Sequence, residues 1–188
     1  MTVFQFCPNV CCELINITSG IVIYKKYEST WRNPLNFDSG RAKCEEDSNK
    51  VSSVSDFLHL PMPQNEDENK IYHDIVKDYA THVYLDITEV KPQTKPRSWE
   101  LKNGTSAMWF NWVASPSKIT VDKGGLNKPY IQLLRDTPGG KNVGGWVEVG
   151  AQENSMTGEH ELPKADTVCT YFLPAYSIDY CPWLRDLS

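Results

Sequence analysis

The chain has 188 residues, of which 40% are hydrophobic and 23% are charged, so it can bury the core of one globular domain. Nineteen basic residues against twenty-four acidic ones give a net charge of −5, which disfavours binding to nucleic acid or to anionic lipid. Apolar runs all fall short of the roughly 18 residues that a membrane-spanning helix needs. We therefore expect a soluble domain without membrane insertion of this segment.

The six cysteines predict an extracellular, disulfide-bonded protein. They lie near the two ends of the chain and in one early segment: Cys7, Cys11, Cys12, Cys44, Cys169 and Cys181. Structural metal sites use closely spaced cysteine pairs that repeat, whereas disulfides between distant segments fit this distribution better. Glycosylation sequons at Asn16 and Asn103 favour the same secreted or cell-surface location. The first ten residues do not resemble a signal peptide, so we expect Met1 to begin a mature domain or an ectodomain fragment.

The first 50 residues predict one strand followed by one helix. β-branched and aromatic side chains at residues 21–24 are typical of a strand. Residues 37–47 predict a short helix that either Asn36 or Asp38 can cap at its N-terminus. Cys44 falls on the predicted buried side of this helix.

A second helix is predicted to begin near Asn65, because Glu68 follows three residues later, as in a capping box. Apolar residues at helical spacing form a stripe along it: Ile71, Tyr72, Ile75, Val76 and Tyr79. Residues 82–87 then alternate in the way that is typical of a strand.

The second half of the chain predicts a hairpin and several short strands. Asn103-Gly104 separates two apolar runs and favours a type I′ turn between paired strands. In the second run, Phe110 and Trp112 alternate with Trp109, so we expect Trp109 to be the exposed aromatic. Further strands are predicted at 130–134, 146–149 and 168–173. This order of elements predicts an α+β domain with long loops in its second half.

Five segments, in this order and spacing, resemble the C-type-lectin-like fold. They are Phe37-Asp38-Ser39-Gly40-Arg41-Ala42-Lys43-Cys44, then residues 83–88, then 99–105 followed by Asn111-Trp112, then Gly145-Trp146, then 169–172. The resemblance covers roughly residues 21–173 and implies two helices packed on small antiparallel sheets with a long-loop region. It divides the chain into a cysteine-containing extension at 1–20, the domain at 21–174 and a C-terminal extension at 175–188.

The resemblance also implies how the cysteines pair. Cys44 and Cys169 correspond to the family's core disulfide, whereas the family's second bridge, within the long-loop region, has no counterpart here. The two ends of this fold lie side by side, so the C-terminal extension should be tied back by a bond from Cys181 to Cys11 or Cys12. Cys7 and the remaining cysteine would then pair locally.

Sugar-binding members of the family hold calcium through carboxylate and amide oxygens of two triplets. Ser115-Pro116-Ser117 stands in place of the first triplet, and Trp146-Val147-Glu148 in place of the second. Hydroxyls and a valine thus replace charged or amide ligands, so we expect no cofactor and no intact calcium site. Three other carboxylates could in principle form a new calcium site, but nothing in their spacing requires one: Asp122, Asp136 and Glu153. Candidate ligand-contacting residues are Trp109, Ser115, Ser117, Trp146 and Glu148.

We therefore expect an extracellular recognition module that binds a protein partner through long loops at 113–128 and 139–164. The sequence contains no nucleophile elbow, phosphate loop or paired-carboxylate signature, so we expect no enzymatic activity. One alternative is a carbohydrate-binding lectin, calcium-dependent or not. Another is a structural part of a larger assembly, in which a terminal cysteine bridges to a second chain.

Overall fold

The computed structural model describes residues 3–7, 10–17, 20–30, 32–51, 58–77, 82–90, 98–113, 130–135, 144–153 and 160–174. Within these residues the elements, in chain order, are β1 (Val3–Cys7), β2 (Val10–Ile17), β3 (Gly20–Tyr27), α1 (Phe37–Val51), α2 (Glu66–Val76), β4 (His82–Glu89), β5 (Trp99–Leu101), β6 (Tyr130–Leu134), β7 (Trp146–Val149), β8 (Gln152–Glu153), β9 (His160–Glu161) and β10 (Thr167–Pro174). The α+β class is confirmed, and so are the strands predicted at 82–87, 130–134, 146–149 and 168–173.

The first sheet is antiparallel and has the strand order β1-β2-β3-β10. β3 and β10 pair along their whole length, from Gly20 opposite Pro174 to Tyr27 opposite Thr167. The sequence predicted no strand within residues 1–20, yet β1 and β2 widen this sheet by two strands. The N-terminal extension is therefore built onto the sheet through β2, while residues 175–188 lie outside the described residues.

The second sheet has the order β5-β4-β6-β7, and a third, two-stranded sheet pairs β8 with β9. The predicted strand at 82–87 is confirmed as β4, a central strand whose residues 83–87 are all buried. Val83 and Leu85 belong to a core cluster that includes Ile75 of α2. Tyr84 faces the other way, into a second cluster where its ring lies 5.7 Å from that of Phe37 of α1. The two helices thus cover opposite faces of this sheet.

Both predicted helix starts are confirmed, although α1 continues to Val51, beyond the predicted end at 47. Asn36, rather than Asp38, caps α1, because its Oδ1 accepts a hydrogen bond from the backbone N–H of Ser39 at 3.1 Å. Asn65 caps α2 in the same way, accepting from the N–H of Glu68 at 2.9 Å. The Glu68 carboxylate returns a bond by accepting from the side-chain amide of Asn65 at 2.9 Å.

The hairpin after β5 is confirmed, but its turn differs from the predicted type. The backbone N–H of Gly104 donates to the carbonyl of Leu101 at 2.9 Å, and the N–H of Leu101 donates to the carbonyl of Thr105 at 2.9 Å. These bonds close a three-residue loop in which Gly104 has a φ of +80°. Such a loop needs one residue in the left-handed region, whereas a type I′ turn needs two.

A disulfide joins Cys44 of α1 to Cys169 of β10, with the two Cα atoms 5.3 Å apart. Both cysteines have no solvent exposure and lie in the core cluster that contains Phe37 and Ile23. The predicted core disulfide is therefore confirmed. The side chains of Cys7, Cys11 and Cys12, and all of Cys181, lie outside the described residues, so the pairing at the ends stays a prediction.

A buried carboxylate links α1 to the first sheet. The Asp47 side chain is 2% exposed, and it accepts hydrogen bonds from the Lys25 ammonium at 2.6 Å and from the Tyr27 hydroxyl. Burial acts to raise the pKa of Asp47, but the bonds from Lys25 and Tyr27 outweigh it and hold that pKa below its ordinary value. The ionised form of Asp47 thus stabilises the fold.

Replacing both bonded cysteines, as Cys44→Ala with Cys169→Ala, should lower the free energy of unfolding by roughly 3–5 kcal/mol. The bond closes a loop with a sequence separation of 125 residues, which restricts the unfolded chain strongly. Urea unfolding of the oxidised protein and of the variant measures the difference. Peptide mapping under non-reducing conditions is an independent check, and a free Cys44 would contradict the arrangement.

Asp47→Asn should lower the free energy of unfolding at neutral pH, and its difference from the wild type should shrink in acid. The unfolded carboxyl has a pKa of about 3.9, so the stabilisation is complete above that pH and is lost as the pH falls through the lower folded pKa. Urea unfolding at a series of pH values tests this. Asp67→Asn, which neutralises an exposed carboxylate of α2, is the control; a pH-independent effect of Asp47→Asn would contradict the ion pair.

Candidate functional site

The base of the long-loop region is fixed to the outer edge of the second sheet. The backbone N–H of Trp146 in β7 donates to the carbonyl of Asn111 at 2.8 Å, and the N–H of Val113 donates to the carbonyl of Trp146 at 3.1 Å. Trp112 therefore pairs with Trp146 in a parallel bridge. Residues 114–129 lie outside the described residues, and the chain is described again from Tyr130 in β6.

A polar network centred on Asn69 ties α2 to this base. Asn69 is 2% exposed; its Oδ1 accepts a hydrogen bond from the indole N–H of Trp146 at 2.7 Å. Its side-chain nitrogen donates to the carbonyl of Gly144 at 3.1 Å, and that of Asn111 donates to the same carbonyl at 3.1 Å. The network therefore holds together helix α2, the segment that leads into the long loop and the segment that precedes β7.

Glycine is required at position 144 for two reasons. Its φ is +64°, a conformation that other residues rarely adopt. A Cβ atom at this position would lie 2.9 Å from both the side-chain nitrogen of Asn69 and the Cβ of His73. The close approach to α2 is what brings the carbonyl of Gly144 within reach of Asn69.

An aromatic cluster fills the space beneath the base. The ring of Trp146 lies 5.3 Å from that of Trp109 and 5.9 Å from that of Trp112, both in edge-to-face geometry. Phe110 stacks on Trp112 at 5.7 Å, and Trp99 lies 5.6 Å from Trp112. Aromatic pairs at these separations stabilise the core beyond the apolar area that they bury.

The burial of two of these aromatics differs from what the sequence suggested. Trp146 has no solvent exposure and packs beneath the base, so its contact with a ligand stays a prediction. Trp109 is half-buried against the core, and the exposed apolar side chain of this run is Met108, at 87%. Strict alternation fails because residues 107–111 are not part of a regular strand. The chain pairs with β5 up to Ala107 and is next hydrogen-bonded to β7 at Asn111.

The remaining candidate residues are distributed around this base. Val147 and Glu148 are partly exposed in β7, opposite Gln132 and Ile131 of β6. Ser115 and Ser117 lie outside the described residues, as do two of the spare carboxylates, Asp122 and Asp136. Among the described residues, no three or more His, Cys, Asp or Glu side chains are grouped so that they could hold a metal ion.

Asn69 supports the candidate site, and the sequence did not predict this role. It lies three residues before Tyr72 and therefore on the same helical stripe as Tyr72, Ile75 and Val76. An amide within an otherwise apolar stripe indicates a buried polar partner, and that signal was present in the sequence.

Several solved structures share this architecture. The human scavenger receptor C-type lectin carbohydrate-recognition domain matches with a TM-score of 0.57 and 16% identity, over 89% of this chain and 99% of that one. The C-type lectin CEL-I from Cucumaria echinata matches with a TM-score of 0.53 and 11% identity, over 90% and 100% of the two chains. Human lithostathine matches with a TM-score of 0.54 and 17% identity, over 89% and 91%.

The sequence matches no protein-family model and, at a significant level, no curated protein. The structural matches nevertheless extend over most of the chain, and they share the two helices, the small antiparallel sheets and the disulfide. The chain therefore has the C-type-lectin-like fold. Neither described helix is long and apolar enough to cross a membrane.

Asn69→Ala should lower the free energy of unfolding by roughly 2–3 kcal/mol, because it leaves the buried indole N–H of Trp146 and the carbonyl of Gly144 without this partner. Urea unfolding followed by tryptophan fluorescence measures the change. Asn49→Ala, on the exposed surface of α1, is the matched control and should change the free energy by less than about 0.5 kcal/mol. Equal effects of the two variants would contradict the network.

Proposed function

We propose that this chain is an extracellular recognition module that binds a protein partner through its long-loop region, without an intact calcium and sugar site. The observation that carries the proposal is the position of Val147. It lies in β7, directly beside the base of the long-loop region, where sugar-binding relatives place an amide ligand. A valine side chain offers no oxygen to a cation.

Calcium binding depends on the number and charge of oxygen ligands, usually six to eight. Ser115 and Ser117 supply neutral hydroxyls where the family's first triplet supplies a carboxylate or amide. Glu148 alone retains a carboxylate in the second triplet. Without a bound ion, the paired hydroxyls of a sugar lose the cation that would hold them. The side chains of the long loops would then recognise the surface of a protein partner.

The base is suited to presenting loops for protein recognition. Loops that carry binding residues act from a rigid scaffold, and here the scaffold is the Asn69 network together with the aromatic cluster around Trp146. Both of its flanking segments are hydrogen-bonded, at Asn111 and at Gly144. Side chains within the loops can therefore vary without disturbing the sheet.

The extracellular location is part of the same proposal. The Cys44–Cys169 bond supports it, because disulfides persist in oxidising compartments and are rare in the cytosol. Under the assembly alternative, one of the terminal cysteines would bridge to another chain. The mass of the protein under non-reducing conditions distinguishes a single chain from such an assembly.

Carbohydrate binding is the second candidate function. It is favoured by the likeness to the scavenger receptor carbohydrate-recognition domain and to the lectin CEL-I, and by the carboxylate of Glu148. A calcium-dependent lectin differs from the protein-binding module in its response to calcium, and a calcium-independent lectin differs from it in the ligand that it binds.

We expect millimolar calcium to leave the melting temperature unchanged. A real site filled at about 100 times its Kd would stabilise the fold by about 2.7 kcal/mol, which is easily measured by calorimetry. Glu148→Ala should be equally indifferent to calcium. A rise in melting temperature that Glu148→Ala abolishes would contradict the proposal and favour the lectin.

The same protein should be applied to arrays of extracellular proteins and of glycans, in calcium and in a chelator. We expect a protein ligand whose binding survives the chelator and is weakened roughly tenfold or more by Ser115→Arg, which inserts a long charged side chain into the loop. Ala42→Arg, at an exposed position of α1, is the control that should leave binding intact. Binding confined to glycans would contradict the protein-partner proposal.

A further inference from the structure

The hairpin tip at residues 102–105 presents a sequon in an open position. Asn103, Gly104 and Thr105 are all exposed, and a side chain built at Gly104 would meet nothing within 4 Å. The Oδ1 atom of Asn103 accepts hydrogen bonds from the backbone N–H of Thr105 at 3.0 Å and from its hydroxyl at 2.7 Å. Both bonds use the oxygen, so the amide nitrogen of Asn103 is not needed to hold the turn.

The same tip adjoins an open edge of the second sheet. The segment after the turn pairs with β5 through the N–H of Leu101 bonded to the carbonyl of Thr105, and the N–H of Ala107 bonded to the carbonyl of Trp99. In an antiparallel pair the intervening residue points its own N–H and C=O the other way. Ser106, which lies opposite Glu100, therefore directs both backbone groups away from the sheet.

This edge has the properties that allow a second chain to add a strand. Ser106 is exposed, and two residues further on Met108 adds an apolar side chain that is 87% exposed. Unpaired backbone groups beside an exposed apolar side chain are a template for edge-to-edge association, which proteins normally block with charge, proline or a covering element. No described residue covers Met108.

We propose that Asn103 carries an N-linked glycan, and that this glycan shields the edge at residues 105–108 from pairing with a second copy of the chain. The proposal rests on the extracellular location proposed above. A glycan is bulky and strongly hydrated, and it would stand three residues from Ser106. It would thus supply a covering that the described residues do not provide at this edge.

The attachment chemistry balances with one co-reactant, an oligosaccharide linked to a polyprenyl diphosphate. The amide nitrogen of Asn103 attacks the anomeric carbon of the sugar; a C–N bond forms, the C–O bond to the diphosphate breaks, and the diphosphate leaves with the electron pair. The proton of the nitrogen passes to a base of the transferase. The Thr105 hydroxyl, by donating to Oδ1, draws electron density from the amide and eases that proton's removal.

The test uses the whole chain, secreted by eukaryotic cells and collected from the medium. Peptide mass mapping reads the modification of Asn103, and sedimentation velocity over a range of concentrations reads the association state. Thr105→Ser keeps the sequon and is the matched control for Asn103→Gln, which removes it. Asn16→Gln assigns any glycan to one of the two sequons.

We expect the wild type and Thr105→Ser to carry the glycan at Asn103 and to be monomeric. Asn103→Gln should lower the dimer dissociation constant roughly tenfold or more, and adding Met108→Lys, a charge at the edge, should restore the monomer. Trimming the glycan of the folded wild type to a single sugar should also promote association, which avoids any effect of Asn103→Gln on the turn.

Two results would overturn the proposal. An unmodified Asn103 in secreted wild-type protein would remove the attachment site, and a trimmed protein that stays monomeric at every concentration would remove the shield. Neither result bears on partner binding through the long loops, which the arrays measure separately. Failure of secretion, read directly from the medium, would instead contradict the extracellular location on which this proposal depends.

Discussion

The hydrogen bond from the indole N–H of Trp146 to the side chain of Asn69 fixes the geometry of the base from which the long loop leaves the sheet. A fully buried indole needs a partner for its N–H, and here that partner is an amide on the adjacent helix. The nitrogen of the same amide donates to the carbonyl of Gly144, and that carbonyl also accepts a hydrogen bond from the side-chain nitrogen of Asn111. One buried polar pair therefore sets where the loop leaves the sheet and how closely helix α2 approaches.

The scaffold around this pair is divided between two cores. Strand β4 contributes alternate residues to each, with Leu85 on the side of α2 and Tyr84 on the side of α1. The disulfide lies within the core next to α1, whereas the aromatic cluster lies in the core next to α2. The disulfide and the aromatic cluster that supports the candidate site thus lie in different core clusters.

Local signals in the sequence predicted most of the fold. The capping pair of Asn65 and Glu68 and the boundaries of β6 and β7 depend on nearby residues, so they could be predicted without knowing the tertiary structure. The Cys44–Cys169 bond joins residues far apart, and only the resemblance to a known family supplied it. In β1 and β2, cysteine and polar residues obscure the alternation of apolar and polar side chains that predicts a strand. They become strands because β2 pairs with the edge of β3, and β1 pairs with β2.

The candidate site was predicted less well, because its residues take their roles from tertiary contacts. Trp146 was a candidate for contact with a ligand, but it is fully buried and packs beneath the base of the loop. Trp109 packs against the core and Met108 is exposed where the chain leaves the ladder with β5. Asn69 was visible as an amide on an apolar stripe, although its partner 77 residues away was not.

The ladder between β3 and β10 also determines how the domain would respond to a pulling force. Gly20 and Pro174 face each other at one end of it, so tension applied there would peel the rungs apart in succession instead of shearing them together. Peeling would reach Cys169, opposite Lys25, where the bond to Cys44 carries the load. The segment between the two cysteines would remain mechanically closed, with the base of the long loop inside it.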